Sequence, residues 1–289
     1  MKDLNFDFKG ICNHNRDGSF ATQADRRNIL DLVANQLHEM GYRHMRGSSL
    51  KTKHVDALVA QWKAQPLSTG TFKNRMAALR WLAGKLGKNG IVKTDNAAYG
   101  IGKRSSVATA SKARVLTGGE LAMVVDPFVA MSLKLQAAVG LRREESIKIV
   151  PAWADRGDHL LLKASWTKGG REREIPINTA RQRALLADAK ALAAGKSLVG
   201  PAYGSYRAWL AHFKYVCASA GIHKVHGHRH LYAQERYREL TGWACPACGG
   251  PSSKQLSLEQ KAIDRKMRLQ ISHELGHGRE QITTVYLGR

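Results

Sequence analysis

Apolar residues recur at Ile29, Val33 and Leu37, with Met40 one step beyond, and this three-to-four spacing predicts an amphipathic helix over residues 22–39. Thr22 and Asp25 stand near its start, where side-chain oxygens and negative charge suit unpaired backbone N–H groups. A second helix, HVDALVAQWKAQ, stops before Pro66. A third, TFKNRMAALRWLAGKLG, carries Phe72, Met76, Leu79 and Leu86 on one stripe and ends at Gly87. Its other side shows Lys73, Arg80 and Lys85. No alternating, strand-like pattern precedes residue 95, so the first part of the chain reads as a small all-helical unit.

The pattern then lapses. AAYGIGKRSSVATASKAR has small residues and the cations Lys103, Arg104, Lys112 and Arg114, and reads as an exposed basic linker suited to lie along phosphates. Thr117 with Glu120 three residues on makes a capping box. A helix follows over residues 132–140. HLLLKASWTKGGREREIPIN holds two strand-like runs around a Gly169-Gly170 turn, a β-hairpin signal. Tyr206, Leu210, Phe213 and Cys217 stripe another helix that ends at Gly221, and HGHRHLYAQERYREL continues helically to Gly242. Ile263, Met267, Ile271 and Leu275 stripe the last long helix. The expected fold is mainly α with a small β-hairpin element. Its parts are an N-terminal extension (1–20), a helical domain (21–98), a basic linker (99–115) and a second domain (116–289) with an insert at 241–258.

Composition changes the picture through charge. Of 289 residues, 43% are hydrophobic and 24% charged, ordinary for a folded protein, but Lys plus Arg number 46 against 23 for Asp plus Glu. A net charge of +23 attracts polyanions, which puts nucleic acid ahead of an anionic membrane surface. No apolar run is long enough to span a bilayer, and MKDLNFDFKG lacks the apolar core of a signal peptide. Four cysteines (Cys12, Cys217, Cys245 and Cys248) are too few for a disulfide framework, so a reducing bacterial cytoplasm is the expected setting. With aromatic residues at only 7%, largely on helix stripes, an RNA-binding module built on stacking platforms is disfavoured.

The second domain holds the residues that phosphoryl transfer without a metal requires. Charge on the non-bridging oxygens of a five-coordinate phosphorus is best met by guanidinium groups, which donate paired hydrogen bonds and stay charged. Arg142 in GLRREES and Arg229 in HGHRH are the candidates, with Arg143 competing for the first place. Lys168 at the hairpin turn, with Lys163 nearby, is a mobile donor for a leaving alkoxide. His226 and His277 can orient phosphate or move a proton; His228 and His230 compete with His226. Tyr286 is the candidate nucleophile. Nine residues along an unbroken helix turn through about 900°, which sets His277 and Tyr286 on opposite faces. Both meet one phosphate only if the chain breaks, and Gly276 and Gly278 permit that.

Arg142 with Glu145, Lys168 in TKGGRER, His226 and Arg229 in HGHRHLYA, His277 in ELGHGREQITTVY, and Tyr286, in that order, resemble the tyrosine recombinases of the phage-integrase family. The resemblance covers residues 20–289 and implies a helical core-binding domain, a basic linker and a catalytic domain. It implies that Tyr286 attacks the scissile phosphate to form a 3′-phosphotyrosyl bond, that Arg142 and Arg229 hold the phosphate oxygens, and that Lys168 protonates the departing 5′-oxygen. His226 would assist proton transfer, His277 would hydrogen-bond the phosphate, and Glu145 and His230 would buttress the site. No cofactor, divalent metal or ATP is implied. The implied partner is double-stranded DNA, bound as a tetramer on two paired sites with DNA-bending accessory proteins, as in a mobile-element integrase. Rival readings are a type IB topoisomerase-like nicking–closing enzyme and a catalytically silent DNA-binding protein on the same scaffold.

Two features depart from the family. Arg229 and His277 stand 48 residues apart, longer than the usual interval, and the excess includes WACPACGGPSS. Its Cys245 and Cys248 are half a zinc knuckle, so zinc is a candidate there only if other ligands complete it in space. Only Leu287, Gly288 and Arg289 follow Tyr286, so coupling between subunits is expected to use another surface, the insert being the candidate.

Overall fold

The computed structural model describes residues 2–289, in two compact units: one up to Ser105 and one from Ser106 to Arg289. The first is a bundle of α1 (Asp3–His14), α2 (Phe20–Glu39), α3 (Thr52–Lys63) and α4 (Thr69–Lys85). Its core joins Leu30, Val33 and Leu37 of α2 to Leu58 and Trp62 of α3 and Met76 and Leu79 of α4. α1 lies in the segment expected to be an extension. Leu4, Phe8 and Cys12, four residues apart, bury one stripe against that core, so residues 3–14 belong to the bundle. Helix starts are set by serines: Ser19 Oγ accepts from Thr22 N (3.2 Å), and Ser68 Oγ from Thr71 N (3.1 Å). Thr22 and Asp25 sit near the start of α2, as expected, but the cap itself is Ser19.

The second unit runs α5 (Gly118–Ala122), α6 (Pro127–Val139), α7 (Arg143–Lys148), α8 (Pro151–Ala154), β1 (His159–Leu162), β2 (Arg173–Pro176), α9 (Ala180–Ala193), α10 (Tyr206–Ser219), α11 (His226–Thr241), α12 (Leu258–Glu274) and α13 (Thr284–Leu287). One core gathers Leu135 and Val139 of α6, Ala233 and Tyr237 of α11, Ile271 and Leu275 at the end of α12, and Leu287. A second joins Val129 and Leu133 of α6 to Trp209 and Phe213 of α10. The mainly helical fold with one small β element is as expected. Among the described residues no helix is long and apolar enough to cross a membrane.

Four local expectations need correction. β1 and β2 pair antiparallel, His159 opposite Pro176 and Leu162 opposite Arg173, but the connection spans residues 163–172. Gly169 and Gly170 (φ +91° and +64°) turn within that connection rather than joining the strands directly. α6 starts at Pro127, ahead of residue 132, because Asp126 Oδ1 accepts from Phe128 N and Val129 N. On α12, Ile263 is exposed, and the inward positions before Ile271 are Asp264 and Arg268. They pair at 2.7 Å, with the Tyr237 hydroxyl also donating to Asp264, so the charges are buried together.

The fourth correction concerns residues 106–115, expected to be an exposed linker with nothing to bury: most of them are exposed, but they are bonded to the protein. They form a strap on the second unit: Ala108 is buried and its N–H donates to Thr284 O (2.9 Å), while Arg114 N donates to Gly227 O (3.1 Å). Small residues allow this approach. A Cβ on Gly227 would come within 2.7 Å of Arg114 Cβ.

Candidate functional site

α7 begins where its cap and the site coincide. Arg142 is the residue before the helix, and its backbone N–H donates to Glu145 Oε2 while its Nη1 donates to Glu145 Oε1, both at 2.6 Å. Its Nη2 reaches Leu275 O (3.0 Å) and lies 3.4 Å from His277 Nε2. Arg143 turns away, beside Tyr206 and Cys217 of α10. Glu145 is fully buried. Burial alone would raise its carboxyl, but Arg173, Arg142 and Arg229 together hold it below the usual range.

Arg229, one turn into α11 and 1% exposed, spends each guanidinium nitrogen inside the protein. Nε donates to the Tyr286 hydroxyl (3.2 Å), Nη1 to Gly140 O (2.6 Å) and Nη2 to Leu275 O. The Leu275 carbonyl thus accepts from both Arg142 and Arg229 and sets their spacing. Gly276 follows it at φ +67°, ending α12 and turning His277 inward. A Cβ there would lie 2.9 Å from Arg173 Cδ, so the break also needs glycine for space.

Beyond the break, α13 brings Tyr286 back, and its ring centre lies 6.4 Å from His277, 6.1 Å from His226 and 4.8 Å from His230. Burial, reinforced by Arg142, Arg229 and Arg173, lowers His277 to about 4. Burial also lowers His230 to about 4, with His226, Lys112 and Arg229 adding to it. His226 is lowered by burial and by the same two arginines, Arg229 and Arg142. The lowering favours the neutral rings, each of which can accept a hydrogen bond through its unprotonated nitrogen. His228 faces the strap instead, with Nδ1 bonded to Arg114 O (2.9 Å).

Arg173 was missed from sequence. It is buried on β2, its Nη2 bonds Glu145 Oε2 at 2.5 Å, and burial lowers it to about 9 against the pull of Glu145. The available signal was strand alternation, which puts Arg173 on the inward face with Ile175. Lys168 is not drawn into this cluster. It stands exposed on its turn, with no hydrogen bond or ion pair to a described residue, whereas the Lys163 ammonium lies 4.1 Å from the Trp153 ring.

Two of the six cations expected to meet DNA are engaged within the protein. Arg80 donates to Lys93 O and Asn96 Oδ1 (2.9 Å each), and Arg114 pairs with Glu120 and donates to His223 O. Lys103, Arg104 and Lys112 are exposed, and Lys73 is half-buried. Cys245 and Cys248 are free thiols, and burial pushes Cys245 up to about 12. Among the described residues no group of three or more His, Cys, Asp or Glu is placed to hold a metal.

The family description "Phage integrase, N-terminal" matches residues 1–92, and the description "Integrase" matches residues 102–235. This chain belongs to the phage-integrase family of tyrosine recombinases. Its fold is shared with solved recombinases. Lambda integrase (residues 75–356 of that protein), as a dimer bound to a COC′ core site, is 14% identical with a TM-score of 0.59, over 98% of this chain and 93% of that one. XerH site-specific recombinase, in a post-cleavage complex with palindromic difH substrate, is 15% identical with a TM-score of 0.57, over 99% and 81%. The Tn1549 transposon integrase, in complex with circular intermediate DNA, is 13% identical with a TM-score of 0.52, over 100% and 96%. No curated protein matches the chain. As a tyrosine recombinase it is an enzyme that cuts and rejoins DNA, in a family whose chemistry needs no cofactor.

Proposed function

We propose that this recombinase cuts double-stranded DNA at a specific site through a 3′-phosphotyrosyl intermediate on Tyr286, without divalent metal or ATP, as the integrase of a mobile element. The observation that carries the reading is the meeting of Arg142, Arg229, His277 and Tyr286 around one spot, with Arg229 Nε on the tyrosine hydroxyl. In the first step the Tyr286 oxygen attacks phosphorus, the P–O5′ bond breaks, and a phosphodiester to tyrosine forms. The tyrosine proton passes to His226, whose ring centre lies 6.1 Å from that of Tyr286, with His230 packed beside both as a buttress. Lys168, on its exposed turn, delivers a proton to the departing 5′-oxygen. Arg142 and Arg229 meet the charge that builds on the phosphate, each with N–H groups beyond those bound to Leu275 O. Attack by a 5′-hydroxyl reverses the step, and the covalent bond conserves the energy needed to rejoin.

In this reading the unit up to Ser105 is the core-binding domain and the remainder the catalytic domain. The net charge of +23 supplies sequence-independent attraction to phosphates through exposed cations such as Lys103, Arg104 and Lys112. A tetramer on two paired sites is part of the proposal, since lambda integrase has been solved as a tetramer bound to a Holliday junction. The test uses supercoiled plasmid, EDTA and no ATP, with wild type and Tyr286→Phe side by side. Relaxation and SDS-resistant protein–DNA adducts from wild type alone are expected. Equal relaxation by both proteins would remove Tyr286 as nucleophile, and DNA binding with no adduct on any plasmid carrying the element's ends would favour a silent binding protein.

A further inference from the structure

The Tyr286 segment is held by more than the residues of the reaction. Gln234, five residues past Arg229 on α11 and buried, donates from Nε2 to the backbone carbonyl of Tyr286 itself (2.9 Å). Its other amide atom, Oε1, accepts from two directions: the Ser111 hydroxyl of the strap (2.8 Å) and the Cys248 thiol of the insert (3.1 Å). These two bonds fix which way the amide points, because they fill the oxygen and leave the NH₂ facing Tyr286. The same strap and insert close on the chain around the tyrosine. Ala108 N donates to Thr284 O, and Gly288 sits where a Cβ would meet Ala108 O at 2.8 Å and Ala247 N at 2.9 Å.

We propose that Gln234 is a positioning residue for strand cleavage: it fixes the backbone of Tyr286, and Ser111 and Cys248 hold it in the orientation that does so. The proposal rests on the assignment of Tyr286 as nucleophile. It gives the CxxC insert a task that requires no metal, since a thiol donor at position 248 suffices. A tyrosine fixed at its own carbonyl has its hydroxyl set by two torsions, and a shift of about 1 Å at a reacting atom is enough to cost a large factor in rate.

The test compares full-length Gln234→Glu, Gln234→Met, Cys248→Ala, Cys248→Ser and Ser111→Ala with wild type. Adduct formation is followed in a single turnover at saturating protein, DNA affinity by titration, and amide exchange across residues 283–289 by mass spectrometry. Gln234→Glu keeps the acceptor and the length but removes the donor to Tyr286. It should slow adduct formation about tenfold or more, the rate equivalent of one lost hydrogen bond, with DNA affinity unchanged and faster exchange across the tyrosine segment. Gln234→Met should do the same. Cys248→Ser, which keeps a donor, should match wild type, while Cys248→Ala and Ser111→Ala should each give a smaller loss. Unchanged exchange across 283–289 in both Gln234 variants would overturn the proposal, as would wild-type adduct rates in Gln234→Glu. If wild type itself formed no adduct, the nucleophile assignment would fall, and the exchange data would still decide whether Gln234 fixes the segment.

Discussion

Arg229 donates through Nε to the Tyr286 hydroxyl across 3.2 Å while its two Nη groups bind the carbonyls of Gly140 and Leu275. One guanidinium therefore links the proposed nucleophile to the ends of α6 and α12, so that the proposed attacking group and a proposed phosphate-binding group are positioned as one unit. A planar fork with fixed donor directions can do this; an ammonium cannot.

Arg229→Lys should therefore fail despite keeping the charge. Losing the directed donors should slow adduct formation by about 10²–10³. Leaving the buried carbonyls unmet should also cost about 1–3 kcal/mol of stability. Single-turnover adduct assays and urea melts read the two effects separately. A lysine variant with near wild-type cleavage would show that charge alone is what the position supplies.

Glu145 lies among Arg142, Arg173 and Arg229, and both of its oxygens are used at 2.5–2.6 Å. Replacing it with glutamine preserves the shape but leaves buried guanidinium groups uncompensated. Glu145→Gln should lose about 3–5 kcal/mol in urea-induced unfolding of the second unit. An unchanged midpoint would mean that the arginines are not held by this charge.

His230 and His277 are both lowered to about 4 from an ordinary value of 6.5. Above the ordinary value, folded and unfolded chains carry these rings alike, as neutral imidazoles. As pH falls from 6.5 towards 4 the unfolded chain takes up protons that the folded one refuses, so stability drops through that window. Thermal melts from pH 7.5 to 4.5 should show the drop, and the His230→Asn, His277→Asn double variant should flatten it. The linkage has the same sign for Asp155, whose carboxyl is held at about 2 by Lys190 and Arg183 despite its burial: the unfolded chain again takes up the proton first, so that stability is lost in a lower window, from 3.8 towards about 2. A double variant as acid-sensitive as wild type would place the loss on other groups.

Regular apolar stripes made the longer helices α2, α3, α4 and α10 legible: they bury long side chains at helical spacing, and spacing is visible in a sequence. α9 was not legible because its buried face is Leu186, Ala189 and Ala193, where alanine gives little contrast. The inner face of α12 was misread because Asp264 and Arg268 are buried by pairing with each other and with Tyr237, and a partner from another helix leaves no mark on periodicity. The same holds at the site. Arg142, Arg229, His277 and Tyr286 sit in short chemically distinctive stretches and could be singled out together. Arg173 and Gln234 bond to Glu145 and to a backbone carbonyl, contacts between segments far apart in the chain. The strap was hidden for a third reason: small residues read as flexible, yet smallness is what lets residues 106–115 lie close on α11 and α13.

Lys163 and Lys168 compete for the proton-donor role in sequence, and their surroundings separate them. The Lys163 ammonium lies 4.1 Å from the Trp153 ring and 5.5 Å from Trp166, a cation–π position that holds it in place. Lys168 is exposed beside two glycines at positive φ, with no hydrogen bond or ion pair to another described residue. Lys163→Met should therefore lower stability by about 0.5–1 kcal/mol and leave cleavage nearly intact. Lys168→Met should leave the melting temperature unchanged and slow adduct formation, because the 5′-oxygen departs without its proton. Removing a general acid costs about 10²–10⁴ in rate. Paired melting curves and adduct time courses for the two variants check both halves, and a cleavage defect in Lys163→Met with none in Lys168→Met would reverse the assignment.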